Sequence, residues 1–277
     1  MRKKQVPAIV VLSILLLSGS FTGQDRDVPT TREMNLLTWQ EFSDFVPEKI
    51  ETVLLPVGSI EPHGVIPNGT DNLAPQAMSR EIAPRVNALI APTLNYGITE
   101  AMAAYPGAVS VSADSYAPFI GDILKGLAAS RFKNIIILNG HGGNTDALKR
   151  AATSVSNQCR VRILVVNWWA LASEDTFAVF DQNGGHAGNN ETAYIQAVVP
   201  EHIHPEQYDP EMAVVNPVGG SWYAVPVAAS ILLYEKGQGY PTFDRKQAEE
   251  YFRRVNDRVT GLIEEIIRKW DKAGLYR

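Results

Sequence analysis

Histidine and carboxylate residues concentrate in three glycine-rich segments of this 277-residue chain. Nitrogen and oxygen donors of these types bind divalent metal ions. A carboxylate that lies between two ions can bridge them, as in two-metal sites about 3.5–4 Å across. The pattern therefore predicts a site for two divalent cations. The candidate residues, in chain order, are Glu61, His63, Asp71, His141, His186 and Glu191.

The spacing in the first segment allows its three donors to converge. Glu61 and His63 are two residues apart, which places their side chains on one face of an extended segment. Asp71 follows a turn that contains Pro67 and Gly69, so the loop can fold back toward Glu61. Asp71 could instead cap the helix that follows it, a role that Asp fills well. We favour the metal ligand.

The other two segments repeat one design, a histidine in a glycine-rich turn. His141 follows an apolar run and lies in Asn-Gly-His-Gly-Gly-Asn, where glycines permit close approach of the backbone to a ligand. His186 precedes Gly188 and Glu191 in a similar turn. A purely structural histidine is the alternative in both places. His202 and His204 have prolines but no glycines beside them, and we expect them on the surface.

Continuous apolar runs that alternate with helical patterns favour a parallel sheet with helices on both faces. The predicted fold is α/β, with ligands gathered where strands end. The predicted strands are Thr52–Pro56, Ala88–Leu94, Asn134–Leu138 and Val161–Val166. The predicted helices begin at the N-cap Thr38 and continue with Asn72–Val86, Ser115–Ser130, Thr145–Ser156, Asn189–Val199 and Asp244–Trp270. Residues 208–240 are rich in glycine and proline and should be mostly loop, with partly regular structure over Ala224–Tyr234.

Composition narrows the class of protein. The net charge is −5, and no basic block follows the first four residues, so we expect no nucleic-acid partner. Cys159 is the only cysteine and cannot form an internal disulfide. We expect stability to come from core packing, metal or assembly. Residues 36–277 are predicted to form a single domain after a flexible leader over residues 21–35.

The first twenty residues have the pattern of a secretory signal peptide. Arg2, Lys3 and Lys4 precede an apolar run, and Ser18-Gly19-Ser20 supplies small residues for cleavage. The alternative is an uncleaved anchor, although the run is short for a bilayer span of about 20 residues. We expect export to the periplasm or the medium, with no stable membrane insertion after cleavage.

Three motifs together resemble the creatininase (creatinine amidohydrolase) family. They are Gly-Ser-x-Glu-x-His-Gly with Gly-Thr-Asp, Asn-Gly-His-Gly-Gly-Asn, and His-Ala-Gly-x-x-Glu-Thr. The resemblance runs from about residue 36 to residue 199. It implies a three-layer α/β/α sandwich with a mostly parallel central sheet, often assembled into homo-oligomers such as hexamers. It also implies hydrolysis of cyclic or linear amides with two zinc, manganese or iron ions.

The resemblance assigns roles to individual positions. Glu61, His63, Asp71 and His141 match metal ligands, with Asp71 as the bridge, and His186 matches the residue proposed for proton transfer. Creatininase itself has a ligating glutamate where this chain has Gly143, so either Glu191 completes the metal shell or one metal is weakly held. Creatininase also has aromatic residues where this chain has Gly142 and Gln182, which argues against creatinine as substrate. The loop between His63 and Asp71 is one residue shorter than usual.

These residues predict a hydrolase for a small cyclic or linear amide. Zn²⁺ lowers the pKa of bound water to about 7, which supplies a hydroxide to attack the carbonyl. We expect His186 to protonate the departing nitrogen and Glu191 to assist in the site. We expect the bond to be a C–N bond other than a peptide bond. The alternatives are a metallohydrolase of another bond, such as a phosphoester, and an exported binding protein without turnover.

Overall fold

A four-stranded parallel sheet forms the centre of the molecule in a computed structural model that describes residues 27–215 and 221–276. Its strands are β1 (Thr52–Val57), β2 (Ala88–Ile90), β3 (Asn134–Asn139) and β4 (Arg162–Asn167). They lie in the order β2-β1-β3-β4. The register of β1 and β3 runs from Thr52 opposite Asn134 to Val57 opposite Asn139. The polar turns that follow these two strands therefore emerge at the same edge.

Every residue of β1 and β3 is buried because both faces of the sheet are covered. Leu54 and Ile136 face one apolar cluster, whereas Val53 and Ile135 face the other. This alternation explains why the strands read as unbroken apolar runs in the sequence.

Helices occupy both faces of the sheet, which confirms the three-layer α/β/α sandwich. The helices are α1 (Trp39–Phe45), α2 (Thr70–Ile82), α3 (Ala113–Ala129), α4 (Thr145–Cys159), α5 (Trp168–Leu171), α6 (Ser173–Phe180), α7 (Asn189–Val198) and α8 (Arg245–Lys272). Helices α2, α7 and α8 pack in the cluster that contains Leu54. Helices α1, α3 and α4 pack in the cluster that contains Val53.

A second, smaller sheet lies beside the first and carries part of the site. Its strands are β5 (Gly185–His186), β6 (Ala213–Val215) and β7 (Ile231–Leu233), in the order β5-β7-β6. β5 and β7 are antiparallel, with His186 opposite Leu232. Its small apolar cluster is separate from the two large ones. The region predicted to be mostly loop therefore contributes two short strands, of which β7 pairs with β5 beside His186.

The predicted signal peptide lies outside the described residues, as does the first part of the predicted leader. Where the leader is described, it contacts the domain: the Ile90 N–H donates to the Arg32 carbonyl at 2.7 Å, and Glu33 pairs with Ile90. Within residues 27–215 and 221–276, no helix combines the length and the apolar character that crossing a bilayer requires. The single-domain boundaries stay predictions.

Candidate metal centre

Six ionisable side chains meet at the carboxyl edge of the central sheet. Glu61 and His63 follow β1, Asp71 lies in the first turn of α2, and His141 directly follows β3. The small sheet and α7 complete the group from the other side with His186 and Glu191. All six residues that the sequence predicted for the site are therefore neighbours in the fold.

Asp71 is at the centre of the cluster and offers one oxygen to each of two donor sets. Its Oδ1 lies 3.0 Å from His63 Nε2, and its Oδ2 lies 2.9 Å from His141 Nδ1. On the first side, Glu191 Oε2 lies 3.7 Å from His63 Nε2. On the second, Glu61 Oε1 lies 3.1 Å from His141 Nδ1. A carboxylate placed in this way can bridge two cations.

Helix α2 presents Asp71 to the cluster rather than using it as a cap. The N-cap is Gly69, and Asp71 accepts a hydrogen bond from Ser59 Oγ at 2.8 Å. The first turn of α2 is pressed between the ends of β1 and β3, since a Cβ on Gly58 or Gly140 would lie 2.2 Å or 2.0 Å from the Asp71 carbonyl oxygen. The shorter loop before Asp71 leaves its side chain at the centre of the cluster.

Each of the three clustered histidines is anchored through one ring nitrogen to a backbone carbonyl. A carbonyl only accepts hydrogen bonds, so the nitrogen that faces it carries the hydrogen. The opposite nitrogen then faces the carboxylates. Histidines that bind metal have the same arrangement, in which a hydrogen bond from the non-ligating nitrogen fixes the tautomer. The pairs are His63 Nδ1 with the Glu61 carbonyl at 3.0 Å, His141 Nε2 with Ile98 at 2.7 Å and His186 Nε2 with Pro62 at 2.8 Å.

The three carboxylates are oriented in a similar way by hydrogen-bond donors around them. Such outer partners fix the direction of ligand oxygens. They are Ser59 Oγ to Asp71 Oδ2, Thr99 Oγ1 to Glu61 Oε2 and the Ala187 N–H to Glu191 Oε2. Thr99 was not among the predicted site residues, because this residue lies far along the chain from the motifs and has no distinctive neighbours.

Electrostatics hold protons on two of the histidines when metal is absent. Burial alone would lower the pKa of His63, but the charge and hydrogen bond of Asp71 and the charge of Glu191 raise it to about 10. Burial also opposes protonation of His141, yet its hydrogen bonds to Asp71 and Glu61 raise its pKa well above the usual value. The imidazolium charges thus occupy positions where cations would be stabilised.

The carboxylates of Asp71 and Glu61 remain ionised for the complementary reason. Burial acts to raise the pKa of Asp71, but the charges and hydrogen bonds of His63 and His141 hold it well below its usual range. Burial acts to raise the pKa of Glu61 as well, and the hydrogen bond from His141 outweighs it, so this pKa is also lowered. The buried cluster stays anionic at its centre.

The pKa of His186 is lowered and that of Glu191 is raised, opposite to the shifts of the other histidines and carboxylates in the cluster. Burial and the nearby charge of His63 lower the pKa of His186 to about 4. Burial raises the pKa of Glu191 to about 7. The His186 and His63 rings are 4.2 Å apart, and His186 Nδ1 lies 3.5 Å from Glu61 Oε1. His186 is thus a neutral imidazole at the rim of the cluster.

The donor set fits divalent metal ions. Three overlapping groups have ligand atoms that all lie within 4.8 Å of one another: Glu61 with Asp71 and His141, His63 with Asp71 and Glu191, and Glu61 with His63 and His186. Asp71 belongs to the first two groups. The mixture of carboxylate oxygen and imidazole nitrogen suits zinc, manganese or iron. The role of each residue as a ligand stays a prediction.

Glu191 provides a carboxylate beside His63, whereas residue 143 is a glycine and offers no side chain. A Cβ on Gly143 would lie 2.1 Å from the Ile98 carbonyl oxygen and 2.6 Å from His141 Nε2. This backbone therefore has no space for a ligating side chain at residue 143. Glu191 instead approaches His63 from α7 and completes a group of three donors there.

A cavity of about 360 Å³ opens onto the cluster. Its walls include Trp169, Tyr234 and the backbone of Gly142 and Gly143. Sequence analysis did not single out Tyr234, because a tyrosine in a loop-rich region carries no local signal. His202 and His204 lie apart from the cluster and are exposed, as predicted.

A family model described as creatininase, creatinine amidohydrolase, matches residues 35–263 of the chain. This protein belongs to the creatininase family. The match confirms the resemblance seen in the sequence motifs and spans most of the domain.

The creatininase family members that resemble this chain differ in their named activities. A mycofactocin precursor peptide peptidase from Mycobacterium ulcerans (strain Agy99) is 28% identical over 188 residues, which cover 64% of this chain and 69% of that protein. A creatinine amidohydrolase from Pseudomonas putida is 25% identical over 188 residues, with 60% and 72% covered.

Solved creatininase structures share the fold. A mutant creatininase of Zn–Zn type has a TM-score of 0.73 and 20% identity, covering 85% of this chain and 98% of that one. A manganese creatininase has a TM-score of 0.71 and 21% identity, with the same coverage. At this identity the likeness shows the common architecture.

Proposed function

We propose that this protein is a metal-dependent amidohydrolase that cleaves a C–N bond with two divalent ions. The observation that carries the proposal is the position of Asp71, whose two oxygens face two separate donor sets. His141 and Glu61 would hold one ion with Asp71, and His63 and Glu191 would hold the other. Related structures named for zinc and manganese support these metals, and iron is chemically compatible.

Bound divalent ions would supply Lewis acidity, which lowers the pKa of water and polarises the substrate carbonyl. His186 provides the proton transfer. Because its Nε2 hydrogen is donated to the Pro62 carbonyl, the lone pair on Nδ1 is available to take a proton from the attacking water. The protonated ring can then pass that proton to the departing nitrogen.

The backbone at the cavity wall can stabilise the transition state. Gly142 and Gly143 line the cavity next to His141, and their N–H groups are candidates to donate to the developing oxyanion. The Ala187 N–H donates to Glu191 Oε2 at 2.7 Å and fixes the carboxyl group beside His63.

We propose a substrate other than creatinine. Gly142 leaves one wall open, since a Cβ there would have no closer neighbour than Trp169 at 3.9 Å. Gln182, at the other position where creatininase has an aromatic residue, accepts from the Gly239 N–H at 2.9 Å. The expected restriction to non-peptide bonds has no support from the comparisons, because one relative is named as a peptidase.

An exported binding protein without turnover is the second candidate. Its motivation was the missing ligand at Gly143, and the position of Glu191 beside His63 and Asp71 removes most of that motivation. Metal content separates the two functions. Two ions per chain with turnover support the hydrolase, whereas one ion without turnover would support binding alone.

The test is a screen of lactams, formamides, ureides and short peptide amides with Zn²⁺- or Mn²⁺-loaded protein. His141→Ala should lose an ion and its activity, because residue 141 faces both Asp71 and Glu61. His202→Ala is the matched control, since this histidine is exposed and belongs to none of the three donor groups. Equal hydrolysis by His141→Ala and the unaltered protein would refute the proposal.

We also propose that the protein is exported. The support is the basic, then apolar, then small-residue pattern of residues 1–20. N-terminal sequencing of the protein recovered from its source should give a start after residue 20. A mature chain that begins at Met1 in the cytoplasm would contradict export.

A further inference from the structure

A second cavity adjoins the metal cavity and shares two of its walls. It has a volume of about 360 Å³. Trp169 and Tyr234 line both cavities, so these two aromatic side chains lie between them. The remaining polar side chains of the second cavity are uncharged: Ser173, Thr176, Asn183 and Asn190.

Nearby residues of two elements face the two cavities. In α7, Asn190 lines the second cavity and Glu191 lines the metal cavity. Around β5, Gly184 lines the second cavity and His186 the metal cavity. Gly184 and His186 are two residues apart, and two residues of extended chain span about 7 Å.

The β5–β7 pairing fixes the position of Tyr234. Gly185 lies opposite Leu233, so Tyr234, the residue after β7, emerges beside Gly184. Leu232 lies opposite His186 and lines the metal cavity. The wall between the cavities thus combines Tyr234 at the end of the small sheet with Trp169 of α5.

We infer that the substrate extends past Trp169 and Tyr234 into the second cavity with an uncharged, hydrogen-bonding chain of about one or two peptide units. Aromatic walls favour a planar group between them, and amide or hydroxyl side chains beyond favour a neutral polar group. None of the eight residues that line the second cavity is charged, and the Glu235 carboxylate, 3.1 Å from Asn183 Nδ2, disfavours an anionic terminus there. This inference rests on the proposed function and gives that function a substrate class longer than a single small ring.

The experiment measures binding of hydroxamates to the metal-loaded protein by calorimetry, since hydroxamates chelate divalent ions without needing turnover. Acetohydroxamate fills the metal cavity alone. Two longer probes carry a diglycyl unit, one on the acyl side and one on the nitrogen. We expect one longer probe to bind at least about tenfold more tightly, from one or more additional hydrogen bonds.

Two variants block the second cavity without altering a proposed ligand. Ser173→Phe and Ala170→Phe both change exposed residues that line this cavity. Each should remove the gain of the longer probe and leave acetohydroxamate binding unchanged. Ser154→Phe is the matched control, because Ser154 is an exposed helical serine on α4 and lines neither cavity.

The outcomes are distinguishable. If neither longer probe gains affinity, or if the gain survives both cavity-blocking variants, the extended substrate is refuted while the hydrolase proposal stands. If acetohydroxamate itself does not bind the metal-loaded protein, the proposed metal centre fails, and this inference fails with it.

Discussion

Adding Zn²⁺ to chelator-treated protein should release about two protons per chain from histidines alone. A histidine must be neutral to bind a metal, so any proton that it holds beforehand is displaced. His63 and His141 face ionised carboxylates through the nitrogens that would bind metal, at 3.0 Å and 2.9 Å from Asp71. Both rings therefore carry a proton in the metal-free protein and lose it on loading.

The structure sets the size of the release. With its pKa raised to about 10, His63 is almost fully protonated at pH 8, and His141 is raised in the same direction. His186, with a pKa lowered to about 4, contributes essentially nothing. Two histidines with the ordinary pKa near 6.5 would together hold only about 0.06 proton at this pH. A metal-coordinated water with a pKa near 7 adds at most about one.

Calorimetric titration in two buffers of different ionisation enthalpy measures the number of protons directly. We expect a total between two and three at pH 8. His63→Gln should lower the total by about one, and His202→Gln, a change at an exposed histidine, should not alter it. A release of one proton or fewer at pH 8 would refute the reasoning, because coordinated water alone could then account for it.

Three further changes have defined outcomes. Thr99→Val removes the hydroxyl that orients Glu61 and should weaken metal binding about 10- to 100-fold in competition with a chromophoric chelator, whereas Thr99→Ser should not. Gly143→Ala should lower the free energy of unfolding by about 1–3 kcal/mol through overpacking, because the added Cβ would lie 2.1 Å from the Ile98 carbonyl oxygen. Gly142→Ala should not, because its Cβ would come no closer than 3.9 Å to a neighbour. The melting temperature of chelator-treated protein should fall as the pH rises from about 6.5 toward 10. The pKa of His63 is about 6.5 in the unfolded chain and is raised to about 10 in the folded protein, so its contribution to stability is complete below pH 6.5 and is lost as the pH approaches 10.

Each of these predictions has a contradicting result. Unchanged metal affinity in Thr99→Val would show that the hydroxyl does not orient Glu61. Equal melting temperatures for the Gly142 and Gly143 variants would show that the backbone relaxes around the added methyl group. A melting temperature that falls equally with pH in metal-loaded protein would assign the effect to groups other than His63.

The sequence predicted most of the central sheet because strands buried on both faces are continuous apolar runs. The run predicted over Asn134–Leu138 is the strand Asn134–Asn139. Thr38 is the predicted N-cap of α1, and both bonds of its capping box with Glu41 are present. The helix predicted over Asp244–Trp270 is observed over Arg245–Lys272. Periodicity was sufficient wherever an element packs along its whole length.

Boundaries and short elements were less predictable. The strand predicted over Ala88–Leu94 ends at Ile90, and only an isolated bridge joins Leu94 to Val57. Helix α6 (Ser173–Phe180) was not predicted, because two turns give little periodicity. The three-residue strand β7 (Ile231–Leu233) depends on pairing with β5 and β6, which no local pattern encodes.

The candidate ligands were predictable because each lies in a conspicuous motif of glycines, histidines and acids. Their supporting groups were not. Thr99 and the Ile98 carbonyl reach Glu61 and His141 only through the tertiary fold. Backbone carbonyls in particular have no residue type, so no sequence pattern could indicate that three of them would orient the histidines.

The division of labour between the two sheets has a consequence for how such proteins diversify. The ends of β1 and β3 in the large sheet position three candidate ligands, whereas Leu232 lies in the small sheet and Tyr234 directly follows its strand β7. The small sheet has its own minor apolar cluster. Sequence changes in the small sheet can therefore reshape what enters the molecule while the main interior stays intact. New substrate specificities can therefore arise from substitutions in the small sheet with little loss of folding stability.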